Sequence, residues 1–248
     1  MYASDFFILA TGENNEGYNP KMIGIENFNG EIINSSDYRS GKKYKDKKVL
    51  VIGSGHSGME IAFDLSNYES HTSIVVRSPI YVLTREMVYS EMLLLKYLPI
   101  SLVDTVIAKY TKLKFGNLGI PQPQEGPFSV KISKGRSPVI DVRPTDKIKL
   151  GQMKVLPGIL EIKEHTVLFD NGDDHQFDAI IFATRYKNIA TKWLKDYSSI
   201  FLEDGTLINW KGENGLYCAR FSKIGIAGIS MDPRAIADDI KTIRGDKI

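Results

Sequence analysis

Cysteine is nearly absent from this 248-residue chain: Cys218 stands alone, so no intramolecular disulfide can form. Four scattered histidines, His56, His71, His165 and His175, have no metal-ligand spacing, and no metal site is expected. Charge of one sign is lacking too. The 32 basic and 30 acidic residues leave a formal net charge of +2, and no Lys/Arg-dense stripe interleaved with aromatics is present, so nucleic acid is not expected as a partner. The most apolar stretch, Met92 to Leu113, is broken by Lys96, Pro99, Asp104 and Lys109 and lacks the ~18 uninterrupted apolar residues of a transmembrane segment. It reads as helices, one of which ends near Pro99, with an apolar stripe expected to pack on a core. The N-terminus has no basic region ahead of the apolar run Phe6 to Ala10, unlike a signal peptide. A reducing, cytoplasmic setting is the simplest reading.

What is present points to a nucleotide. A hydrophobic content of 42% suffices for a sizeable core, in one large domain or two small ones. Residues 49–58 run Val-Leu-Val-Ile-Gly-Ser-Gly-His-Ser-Gly, an apolar strand entering Gly53-x-Gly55-x-x-Gly58, and Met59-Glu-Ile-Ala-Phe-Asp-Leu continues as a helix. In such a unit the first glycine allows a tight turn, the second lets the backbone approach a pyrophosphate, and the third lets helix pack on strand. Ser54, His56 and Ser57 complete the loop. A second β-type run, Ser73 to Arg77, ends 24 positions beyond Gly53, where an NAD site usually places an acid to hold the ribose 2′-OH. Arg77 there suits a 2′-phosphate, and NADP is the expected dinucleotide. The bland alternatives are a glycine-rich turn that binds nothing and an arginine exposed at a strand end.

Two segments echo one another, Asp5-Phe-Phe-Ile-Leu-Ala-Thr-Gly12 and Asp178-Ala-Ile-Ile-Phe-Ala-Thr-Arg185. Continuous apolar runs of this kind suit parallel strands covered on both faces, and cofactors lie at the turns that follow them. Between the echoes lie the nucleotide unit, a helical insertion over about 86–114, and a Pro/Gly-rich passage from Gly116 to Pro144 expected to loop over the surface. A β-rich stretch follows from Lys154, with Asp170-Asn-Gly-Asp as a hairpin turn. A glycine-rich turn is read at Gly225 to Gly228 and an amphipathic helix from about Pro233 to Ile243.

The motif Phe28-x-Gly30-x-x-x-Asn34-Ser35-x-x-Tyr38, followed by the NADP fingerprint and later by Phe182-Ala-Thr-Arg-Tyr186, resembles class B flavin-containing monooxygenases. Ala10-Thr-Gly-Glu-Asn14, Tyr38-Arg-Ser-Gly41, Gly58-Met-Glu60, Leu94-Leu-Lys-Tyr-Leu-Pro99, Pro138-Val-Ile-Asp-Val142, Gly215-Leu-Tyr217 and Ser230-Met-Asp232 are similar to the plant YUCCA branch, in the right order along the chain. The resemblance implies an α/β fold: a doubly wound, Rossmann-like NADP domain at 46–180 with a helical insertion. It is flanked by parts of a FAD domain at 1–45 and 181–248, in a two-dinucleotide-binding flavoprotein architecture. It also implies an oxidoreductase of plant auxin biosynthesis, a monooxygenase that uses NADPH, FAD and O2 to convert indole-3-pyruvate to indole-3-acetate with loss of CO2. The chemistry would be borne by the cofactor, with no catalytic side chain of its own. By the same resemblance Gly53, Ser54, Gly55, His56, Ser57 and Gly58 would cradle the NADP pyrophosphate, Arg77 would hold its 2′-phosphate, and Thr11, Gly12 and Asn14 would lie near the flavin.

Three features depart from the family pattern. Its N-terminal FAD-binding glycine motif precedes the Ala-Thr-Gly strand, and here only five residues precede Phe6, so the chain reads as N-terminally shortened. Asn34 replaces the fingerprint histidine, keeping hydrogen-bonding capacity without a titratable charge. Arg185 stands where the second Ala-Thr-Gly has glycine, and a positive φ there would strain it. Two alternatives remain: a degenerate NADP-binding module without flavin chemistry, and an ordinary NADP dehydrogenase with a proton-relaying residue over the nicotinamide.

Overall fold

The structure, a computed structural model, describes residues 3–12, 16–134, 136–141, 143–203, 205–219 and 228–245. The chain gathers into two compact units, Asn19–Thr184 and the pair of segments Met1–Tyr18 and Arg185–Ile248. In chain order the first elements are β1 (Phe7–Leu9), β2 (Glu16–Gly17), β3 (Glu31–Asn34), β4 (Lys48–Ile52), α1 (His56–Asn67), β5 (His71–Val75) and β6 (Val82–Thr84). Then come α2 (Arg85–Leu94), α3 (Ile100–Phe115), α4 (Pro127–Lys134), β7 (Val139–Asp141), α5 (Pro144–Lys149) and β8 (Met153–Leu156). The last are β9 (Ile159–Ile162), β10 (Thr166–Phe169), β11 (Asp174–Gln176), β12 (Ala179–Phe182), β13 (Tyr186–Lys187), β14 (Leu216–Cys218) and α6 (Gly228–Arg244).

The larger unit is organised by a five-stranded parallel sheet in the order β3-β12-β4-β5-β8. Its central strands are the two apolar runs: Val49 pairs with Ala179 and Ile52 with Phe182, and all eight residues from these pairs inward are buried. Successive side chains alternate between faces. Val49, Val51 and Ile181 meet Met59 and Leu65 of α1, whereas Leu50, Ile52, Ile180 and Phe182 meet Ile162, Val167 and Phe169. The second face is therefore covered not by a helix but by the antiparallel sheet β11-β10-β9, whose hairpin turns at Asp170-Asn-Gly-Asp with Gly172 at φ +88°. Because β3 hydrogen-bonds to β12, residues 19–45 pack with the nucleotide-type sheet, and the contact boundary falls after Tyr18. Asp64 of α1 ties in the segment that follows β3, its Oδ2 accepting from the Tyr38 hydroxyl at 2.6 Å and the Gly41 N–H at 2.7 Å. Burial and that bond push the Tyr38 phenol well above its ordinary value.

The passage from Gly116 to Pro144 is not a plain loop: it contains α4 and β7. The cause is a tertiary contact. Asp104, buried in α3, accepts from the backbone N–H groups of Phe128 at 2.8 Å and Ser129 at 2.9 Å and from the Ser129 hydroxyl at 2.6 Å. A carboxylate from another helix thus caps the first turn of α4, a signal that local propensity does not carry. The expectation that the Met92–Leu113 stripe packs on a core needs a second correction. α3 buries Val103, Ile107, Thr111 and Phe115 at four-residue spacing, but Leu102, Val106, Tyr110 and Leu113 on its other side are exposed.

In the smaller unit β1 pairs in parallel with β14, Phe7 opposite Leu216 and Leu9 opposite Cys218, and β2 pairs with β13. Leu9, Ile200, Phe201 and Cys218 form its core, where burial, aided by the charge of Asp232, pushes the Cys218 thiol up to about 12. Phe7 and Ile8 of β1 are each 48% exposed, as an apolar strand with one partner among the described residues must be. The C-terminal helix begins five residues before the expected Pro233, and the Gly225 part of the glycine-rich turn lies outside the described residues.

Glu91 of α2 is 4% exposed, and its Oε1 has no hydrogen-bond partner. Burial, then the charge of Asp104, push its carboxyl up to about 7 against a weaker opposing pull from Lys131. In the unfolded chain it titrates near 4.3. Its stabilising contribution is therefore complete below the unfolded value and is lost as pH rises through about 7. Glu91→Gln should match the wild type at about pH 4 and be more stable by about 2 kcal/mol at about pH 8, read by denaturant unfolding at both pH values.

Candidate dinucleotide site

Three parallel strands end side by side. β4 and β5 are in register, Ile52 opposite Val75, and β12 lies on the other side of β4, Phe182 opposite Ile52. Carboxyl ends of such strands are where nucleotides bind in open α/β sheets. The chain leaves β4 through Gly53 at φ +120°, a conformation that only glycine adopts without strain, and turns into α1 at Gly55. A Cβ on Gly53 would lie 2.3 Å from the Ala183 carbonyl oxygen, and one on Gly58 would lie 1.8 Å from the Gly53 carbonyl oxygen. These two glycines are spaces into which backbone fits. Gly55 differs, because a Cβ there meets nothing within 4 Å. Its open side adjoins the first turn of α1, which no side chain caps, so the unpaired N–H groups of that turn face outward.

The expected residues fall into two groups. Gly53 to Gly58 and Arg77 come together at the carboxyl edge of one sheet: Ser57 is exposed, Ser54 half-buried, and Arg77 stands exposed two residues beyond β5, with Gly158 beside its stem at 3.5 Å from Cγ to an ideal Cβ. Among the described residues no carboxylate forms an ion pair with the Arg77 guanidinium. Thr11 and Gly12 follow β1 in the smaller unit, Gly12 at φ +76° with open space around it. Asn14 lies outside the described residues.

His56 is exposed, and its Nε2 accepts the Ile140 N–H at 3.2 Å, which ties the start of α1 to β7. Asn34, buried at the end of β3, donates from Nδ2 to Asn19 Oδ1 at 2.9 Å and accepts the Ser36 N–H at 3.1 Å. Both ends of its amide are used, so it serves as a turn-forming residue. Arg185 has φ +81°, matching Gly12 in the echoing segment, and the expected strain is present. Ala183 is the contributor that sequence reading passed over. It donates its N–H to Ile52 O at 2.8 Å and floors the Gly53 turn, and only its place in the echo could have flagged it.

A groove of about 510 Å³ lies at the opposite edge, where Lys48, His71 and Lys154 mark the amino-terminal halves of β4, β5 and β8. Its lining includes the turn glycine Gly151 at φ +71°, but that turn leads from α5 into β8 and opens no helix, so the phosphate-binding geometry belongs to the carboxyl edge.

A strand, glycine turn and uncapped helix at the carboxyl edge of a parallel sheet define a dinucleotide-binding α/β protein. The flavin-binding monooxygenase-like family profile matches residues 4–228, and the chain belongs to that family. It is 46% identical over 252 residues to the probable indole-3-pyruvate monooxygenase YUCCA10 of Arabidopsis thaliana, covering 98% of this chain and 66% of that protein. It is 43% identical to the indole-3-pyruvate monooxygenase YUCCA4 of Oryza sativa subsp. japonica, covering 97% of this chain and 57% of that protein. The chain thus spans about three fifths of these relatives. Among solved structures, OTEMO in complex with FAD and NADP superposes with a TM-score of 0.68 at 14% identity, covering 97% of this chain and 62% of that one. A flavin-containing monooxygenase from Stenotrophomonas maltophilia gives 0.64 at 17% identity, covering 93% and 61%. At these identities the structures support the fold alone.

The glycine geometry separates two substitutions. Gly58→Ala should lower stability by about 1–3 kcal/mol, since neither Cβ nor carbonyl can give way easily, whereas Gly55→Ala should stay within about 1 kcal/mol of the wild type in denaturant unfolding. Arg185→Gly should raise stability by about 0.5–1 kcal/mol in the same measurement by relieving the left-handed backbone.

Proposed function

We propose that this chain contributes the NADPH-binding part of a flavin-dependent monooxygenase that converts indole-3-pyruvate, with O2, NADPH and a proton, to indole-3-acetate, CO2, NADP+ and water. The observation that carries the reading is the pairing of an uncapped glycine cradle with Arg77 on the adjacent strand end, on a chain with 46% identity to a plant protein of that name. The pyrophosphate would receive hydrogen bonds from the backbone N–H groups at the start of α1, where Gly55 leaves room for an anion to approach, with Ser54 and Ser57 at the rim. The 2′-phosphate would take the fork of Arg77, which a carboxylate in that place would repel.

Bound NADPH supplies a hydride, and bound FAD supplies the oxygen chemistry. The residues described here fit the first. For the second, Thr11, Gly12 and Asn14 are proposed to approach the flavin, but Gly53–Gly58 is the single strand–glycine–helix cradle among the described residues and is taken by NADP. No step is assigned to flavin in this chain. Arg185, in place of a glycine, would work against a cofactor approaching that turn.

Cofactor choice is the test. Arg77→Ala should lose on the order of tenfold or more in NADPH affinity while NADH affinity barely changes, since a charge-assisted phosphate contact is worth about 1.5–3 kcal/mol. Equilibrium titration of both nucleotides reads this directly, and equal losses for the two would remove Arg77 from the site.

A further inference from the structure

The helical insertion presents apolar surface that nothing among the described residues covers. On α3, Leu102, Val106, Tyr110 and Leu113 follow at intervals of four, four and three, one stripe of a helix, and are 48%, 48%, 52% and 86% exposed. Neighbouring α2 carries its own stripe, with Tyr89 at 71% and Met92 at 63%, and Tyr97 just beyond it reaches 80%. Single exposed apolar residues are ordinary, but two adjacent helices with outward apolar stripes are not.

The charge around this surface is predominantly of one sign. Lys96, Lys109, Lys112 and Lys114 are exposed on the same two segments. Between residues 87 and 124 the acids are Glu91 and Asp104, each 4% exposed and turned into the fold, Asp104 being consumed by the cap of α4. The outward surface therefore combines leucine, valine and methionine with three tyrosines and four lysines, against one exposed acid, Glu86 in the first turn of α2, which Arg85 on the same turn offsets. Tyrosine rings suit the headgroup level, and lysine stems lie along apolar surface while their ammonium groups reach outward.

We propose that the α2–α3 face docks on the surface of an anionic lipid bilayer, with the apolar stripes in the interface and the lysines on lipid phosphates and carboxylates. The helices lie on the membrane and do not cross it, because no described helix is long and apolar enough to do so. A second copy of the chain is a poorer partner: a two-fold interface sets the same patch against itself, and lysine would face lysine. The proposal is independent of cofactor binding, since none of its residues belongs to the Gly53–Arg77 site.

Flotation of the 248-residue chain with vesicles of phosphatidylcholine, with and without phosphatidylserine, tests it. The chain should float with the mixed vesicles, less with phosphatidylcholine alone, and less in high salt. Val106→Ser with Leu113→Ser should abolish flotation, and Lys109→Glu with Lys112→Glu should lower partition onto the anionic vesicles by at least about 20-fold, from roughly fivefold per lysine. All four positions are exposed, so melting temperature and NADPH affinity should not change, and that control separates lost docking from lost fold. Absence of flotation, or flotation indifferent to these substitutions, overturns the proposal. So does a concentration-dependent dimer in sedimentation that Leu113→Ser dissolves, which would assign the face to a second copy, or capture of an acidic protein surface in preference to vesicles.

Discussion

The larger unit depends on one close approach of backbone to backbone. At Gly58 the first turn of α1 comes down onto the Gly53 carbonyl, and Gly53 itself rests on Ala183 at the end of the neighbouring strand. No side chain larger than hydrogen fits at either glycine. That contact sets the height of α1 above the sheet, and with it the direction in which the free N–H groups of the first turn point. The hydrophobic core of Met59, Leu65, Val49 and Val51 then locks the helix in place. The position of the proposed anion site is thus a consequence of packing, and the open space at Gly55 is what packing leaves over.

The insertion obeys a different constraint. It is held together by carboxylates withdrawn from solvent: Asp104 is satisfied by three donors from the start of α4, and Glu91 beside it lacks a partner for one oxygen. Turning Glu91 and Asp104 inward leaves Glu86 as the one exposed acid of α2 and α3, whose exterior is otherwise basic and apolar. The interior arrangement that stabilises α4 is therefore also what gives the outer face its character, with Glu91 as a local cost in stability at alkaline pH.

Family membership sharpens two departures. Asn34 is absorbed without penalty, because both ends of its amide find partners at the end of β3. Arg185 is not, because a side chain sits on backbone at φ +81° where the echoing segment keeps glycine. The two echoing segments share a left-handed residue after Ala-Thr as well as letters, Gly12 at φ +76° and Arg185 at φ +81°.

Much of this was legible in the residues themselves. Val49–Ile52 and Ala179–Phe182 are apolar at every position because a central parallel strand is buried on both faces, and Gly53 and Gly58 announce the turn because a side chain at either would run into backbone. Arg77 could be placed by counting, since a strand and a helix have fixed lengths. What the sequence could not reveal depends on partners distant along the chain. α4 exists because Asp104 reaches it from another helix, and β3 joins the nucleotide sheet because β12, some 145 positions later, offers a free edge. Ala183 became part of the site by lying under Gly53. Periodicity identified α3 as amphipathic but not as two-sided: a stripe of Leu102, Val106 and Leu113 has the same pattern whether it meets a core or solvent, and only the packing of Val103, Ile107 and Phe115 determined which face turned inward.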